Sequence, residues 1–86
     1  MRPYKLVVDY EALEFFQGLN RRDQHYLHGR LVWLRESPHN YMDKKVTGED
    51  GRQLFVFVRG KFAIKYWIDE AVKEVRILDV HFVRFV

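Results

Sequence analysis

The sequence predicts a two-layer α+β domain of order β-α-α-β-β-β, in which a mostly antiparallel sheet carries an α-helical hairpin on one face. Three observations lead there. Apolar residues recur at helical intervals only between residues 11 and 36. Extended runs of β-branched and aromatic residues fill the chain from residue 54 onward. A shorter run of the same kind precedes the helices. Eighty-six residues make a single domain, residues 1–86, and 48% hydrophobic with 16% aromatic content supplies one core and excludes disorder.

The elements follow in order. Residues 4–9, with Leu6, Val7 and Val8, form the first strand. From Glu11 the spacing becomes helical through Ala12, Phe15, Phe16 and Leu19, and Gly18 marks the end. Asn20 then caps a second helix over residues 21–36, with Asp23 in its first turn, where a negative charge suits the helix dipole. Leu27, Leu31 and Leu34 make its buried stripe, and Pro38 forces the stop. Residues 38–52 read as a polar connector with turn chemistry at Thr47-Gly48 and Asp50-Gly51. LFVFVR and KFAIKYWI flank Gly60 and pair as a hairpin, DEAVK is the next turn, and EVRILDVHFV is the last strand.

With helices on one side, the sheet keeps an open face, and alternation assigns its residues. Phe62, Ile64, Tyr66 and Ile68 point to the helices, which leaves Lys61, Ala63, Lys65 and Trp67 on the open side. Placing Leu78 and Val80 in the core sends Asp79 and His81 to the open side as well. The strand LFVFV is apolar on both sides, and its phase stays undecided. Basic groups interleaved with large apolar ones suit RNA or a tightly covering partner peptide; burial against a second copy of the chain is the plainer reading.

The net charge is +3, and six cations, Lys44, Lys45, Arg52, Arg59, Lys61 and Lys65, crowd the middle of the chain. That is mildly basic rather than polybasic, and a solvated loop explains Lys44 and Lys45 as well as phosphate contact does. There are no cysteines, which excludes disulfides and thiolate metal sites and fits a reducing cytoplasm. The N-terminal MRPYKLVVDY lacks the apolar run of a signal peptide, and no stretch approaches the roughly 18 apolar residues that span a membrane. His25 and His28 lie three apart on the second helix, but no third ligand accompanies them, so no metal is expected. Trp33 reads as helix packing and Trp67 as the better surface candidate.

Four segments carry a resemblance to a known family: LRESP, KKVTG, GKFAIKYWID and the closing RILDVHFVR. In order, length and spacing they resemble the RelE/ParE superfamily of bacterial type II toxins, over nearly the whole chain. The resemblance implies a toxin bound and neutralised by a cognate antitoxin, in a toxin–antitoxin hetero-oligomer, with no cofactor. RelE-like members cut mRNA on the ribosome without a metal, by attack of a ribose 2′-hydroxyl on the adjacent phosphate. ParE-like members instead poison DNA gyrase.

The chain departs from the RelE-type pattern. LFVFV has no lysine, Ala63 stands where the third strand would carry arginine, and the last strand lacks a following tyrosine. What remains is displaced: Arg59 and Lys61 flank the hairpin turn, Lys65 lies one strand repeat beyond Ala63, and His81 and Arg84 lie near the end. His81 can move a proton, since histidine titrates near neutrality, with Lys65 and Arg84 stabilising phosphate charge. His81 followed closely by Arg84 also resembles a feature of ParE-like ends, and a histidine bonded simply to backbone or to Asp79 is the structural alternative. The candidate site is therefore His81, Lys65 and Arg84, with Lys44, Lys45, Arg52, Arg59, Lys61 and Trp67 as contacts to RNA or another target.

Overall fold

The computed structural model describes residues 4–83. Its elements run β1 (Lys5–Val8), α1 (Tyr10–Gln17), α2 (Arg21–Glu36), β2 (Lys44–Thr47), β3 (Gln53–Arg59), β4 (Phe62–Asp69) and β5 (Glu74–Phe82). The strands form one sheet of order β1-β5-β4-β3-β2. Only β1 with β5 is parallel, with Lys5 opposite Glu74; the other three pairings are antiparallel. The α+β layering expected from the sequence is observed. Among the described residues no helix is long and apolar enough to cross a membrane.

Local chemistry explains the helix ends. The Asn20 side chain accepts a 2.8 Å hydrogen bond from the Asp23 amide, which satisfies one of the free donors of the first turn of α2. Leu27, Leu31 and Leu34 recur at helical spacing and are buried against Phe57, Phe62, Ile64, Tyr66, Val75, Ile77 and Val80 of the sheet. α1 contributes the fully buried Ala12, with Phe15 and Phe16 packed beside it.

Three details add to or differ from the sequence reading. The polar connector contains a fifth strand, β2, whose residues Lys44 to Thr47 pair with β3 along the sheet edge. A short, lysine-bearing strand is what a solvated edge tolerates, and it carries little hydrophobic signal. The phase of β3 is settled by Phe57, which is completely buried on the helix side, so Val56 and Val58 face the open side.

The third detail is a β-bulge. Lys65 pairs with Asp79 but Tyr66 with Ile77, so Leu78 has no partner in β4. Ile77 and Val80 are both core residues, and Leu78 is only half-buried beside Asp9 and Tyr10, not in the core with Val80 as alternation predicts. The extra residue shifts the phase of the strand. With Ile77 held in the core, that shift is what delivers Asp79 and His81 to the open face.

Candidate functional site

Antiparallel partners share a face, so the register places the open side residue by residue. Along β4 it carries Ala63, Lys65 and Trp67, with His81, Asp79 and Arg76 opposite them on β5. Val58 and Val56 of β3 lie opposite Ala63 and Lys65, and Lys44 of β2 stands opposite Val56 at the edge. Lys65 thus sits in the middle strand, between a valine and an aspartate. It has no ion-pair partner among the described residues.

The Nδ1 atom of His81 lies 2.9 Å from Oδ2 of Asp79. Both side chains are about half exposed, 56% and 44%. An Asp-x-His sequence on a strand puts both side chains on one face, and an ionised Asp79 selects the tautomer with the proton on Nδ1. Nε2 is then the free acceptor. The bond is the simple structural partner that sequence reasoning allowed, and it is also the arrangement that orients a general base. Ala63, 5% exposed, floors the surface between Val58 and His81.

Trp67 occupies the next open-face position after Lys65. The guanidinium of Arg52 lies over its ring at 4.0 Å, held otherwise by a 3.6 Å ion pair with the exposed Asp50. The indole Nε1–H is buried and has no acceptor among the described residues. Opposite Trp67, Arg76 reaches Asp9 at 3.8 Å and Glu74 at 3.7 Å.

Not every expected cation joins this face. Lys61 belongs to the β3–β4 turn, and its ammonium makes a 2.8 Å ion pair with Asp23 of α2 on the helix side. Its assignment to the open face is corrected by that contact. Arg59 lies opposite Phe62, donates to the Val58 carbonyl at 2.7 Å and lies 3.5 Å from Asp43. Lys45 pairs with Phe55 and so belongs to the helix side as well. Arg84 lies outside the described residues. The structure therefore brings together Lys65, His81, Trp67, Arg52 and Lys44, and separates Lys45, Arg59 and Lys61 from them.

Two clusters escaped the sequence reading. On α2 the Arg30 guanidinium stacks at 3.5 Å over Trp33, which is 39% exposed and itself stacks on Tyr41. The spacing of Tyr26, Arg30 and Trp33 was the available signal. The second cluster centres on Glu70, whose carboxylate accepts from Lys73 Nζ and Tyr4 Oη at 3.0 Å and meets His39 Nε2 at 2.8 Å. These hydrogen bonds, Lys73's first, hold its carboxyl down at about 2. The partners come from distant parts of the chain, so no local pattern announces them.

An open cleft of about 480 Å³ lies on the helix side, between Arg22, Tyr26, Gly60 and Lys61. His25 lines that cleft, whereas His28 lines the apolar seam with Leu13 and Leu31, so the two rings border different grooves.

No family model matches the sequence, nor does any curated protein. Solved structures do match in shape. A chain of the RelBE2 toxin–antitoxin complex of Mycobacterium tuberculosis superposes with a TM-score of 0.82 at 23% identity, covering 95% of this chain and 100% of that one. The archaeal RelE–RelB complex of Pyrococcus horikoshii gives 0.76 at 17% identity, covering 94% and 96%. The isolated RelE toxin of E. coli gives 0.74 at 18% identity, covering 96% and 87%. At these identities the likeness is one of architecture: the chain has the fold of the RelE toxins.

Proposed function

We propose that the protein is the toxin of a type II toxin–antitoxin system, working in the cytoplasm and held inactive by a cognate antitoxin. Its target in this reading is translation, as a metal-independent, ribosome-dependent mRNA endonuclease. The observation that carries it is the Asp79–His81 pair beside Lys65 on the open face of a RelE-type fold. His81 Nε2 accepts the proton of a ribose 2′-hydroxyl as that oxygen attacks the neighbouring phosphate. Lys65 stabilises the charge that builds on the phosphoryl oxygens. The 5′-oxygen leaves with a proton from water, and the strand ends in a 2′,3′-cyclic phosphate.

A specific observation favours a second reading. The β3 positions flanking Lys65 and Ala63 are Val56 and Val58, so the middle of the face offers few cations. That suits a non-catalytic binding protein, such as an inhibitor of DNA gyrase, or one whose sheet only engages antitoxin.

Induced expression followed by mapping of mRNA 5′ ends on ribosomes separates the two. Cuts in phase with codons, lost in His81→Ala and Lys65→Ala, are the expected result. Absence of such cuts, with SOS induction and co-purification of gyrase, would sink the ribonuclease reading.

A further inference from the structure

Ala63, Lys65 and Trp67 are successive open-face positions on β4, and two residues of strand advance about 6.7 Å. That step is close to the phosphate spacing of an extended single-stranded nucleic acid. His81 stands opposite the first of these positions, the Lys65 ammonium occupies the second, and an indole the third. An RNA strand laid along β4 with its attacking 2′-hydroxyl at His81 brings Lys65 to the scissile phosphate. The base of the next nucleotide lies over Trp67.

We infer that Trp67 and Arg52 form a base sandwich, a stacking subsite for the nucleotide next to the scissile phosphate of single-stranded RNA. The inference rests on the RNA-directed reading above and deepens it. The Arg52 guanidinium already covers the indole at 4.0 Å, and its tether, a 3.6 Å ion pair between half-exposed groups, is weak. It lifts to admit a base between two planar faces, both of which stack on any base. Its charge stays beside the backbone phosphate. Lys44 at the sheet edge and Lys65 give the path the positive charge that a polyanion needs.

The chain contains two tryptophans, so Trp33→Phe leaves Trp67 as the sole indole reporter. The probe is a short single-stranded oligoribonucleotide with 2′-O-methyl riboses, which cannot be cleaved, and a series with one abasic position each. Binding should quench Trp67 fluorescence. Trp67→Ala and the apolar Trp67→Leu should each weaken binding about tenfold or more, while Trp67→Phe retains most of it. One abasic position should cost the parent protein a similar factor and cost Trp67→Ala nothing further. Unquenched fluorescence, or full affinity in Trp67→Ala, overturns the sandwich even if His81-dependent mRNA cleavage is found. Quenching without any cleavage keeps the sandwich and discards the nuclease reading. If Trp67→Ala abolishes antitoxin binding but not RNA binding, the face is a protein-docking surface and the inference is wrong.

Discussion

The hydroxyl of Tyr66 donates a 2.7 Å hydrogen bond to the carbonyl of Pro38 inside the protein. This bond ties the middle of β4 to the residue that ends α2, and Tyr66 is completely buried. Burial, with the negative charge of Asp43 adding to it, pushes its phenol above the ordinary range. Lys65 and Trp67 flank Tyr66 on the strand and point the opposite way, so the anchor on one face holds the candidate site on the other.

Tyr66→Phe keeps the ring and strands a buried carbonyl. It should cost about 1–3 kcal/mol of stability, measured as a lower urea midpoint at unchanged slope. A loss within the error of the measurement would mean that water reaches Pro38.

Asp79→Asn should leave the fold intact and release the His81 tautomer, because an amide can donate to Nδ1 where the carboxylate only accepts. On the nuclease reading, cleavage should drop by about a hundredfold or more for His81→Ala, the usual contribution of one proton-transfer group. Asp79→Asn should fall between that variant and the parent. Equal toxicity of all three would remove His81 from the chemistry.

The Glu70 cluster has a pH signature. The carboxyl is held at about 2 in the folded chain against 4.5 ordinarily, so the folded state binds fewer protons than the unfolded one across that window. The stabilisation is complete above pH 4.5 and is lost as the pH falls towards 2. The difference in urea midpoint between the parent and Glu70→Gln should therefore be largest near neutrality and shrink through that range. A difference that does not change with pH would show that the carboxylate's charge contributes nothing.

Gly60 opens the β3–β4 turn with φ of +58°, and an added Cβ would lie 2.9 Å from the Tyr26 hydroxyl. Positive φ at the first central position of a two-residue hairpin is the type II′ arrangement that glycine permits. Gly60→Ala should destabilise by about 1–2 kcal/mol from backbone conformation alone, and more with the clash. In a Tyr26→Phe background the penalty should be smaller, because the nearest atom is gone. Equal penalties in both backgrounds would assign the whole cost to the backbone.

What the sequence revealed depended on the range of each signal. Both helices, the Asn20 cap, the Gly60 hairpin and the last strand are local patterns, and all are present in the structure. β2 was missed because KKVT is short, polar and stabilised only by its neighbour. The bulge at Leu78 was invisible because alternation assumes an unbroken period, and only pairing with β4 interrupts it. Asp79 and His81 were nonetheless placed on the open side, since they lie beyond the bulge in phase with Val80. Lys61 went to the wrong side because its direction is decided by Asp23, a partner from another element.

The parallel pairing of Lys5 with Glu74 also has a consequence in time. β1 leaves the ribosomal tunnel well before its partner β5, with both helices and three strands between them. Until β5 emerges, β1 has no strand to join, and the Asp79–His81 pair does not exist. A nascent chain is thus without its candidate chemistry until β5 has emerged.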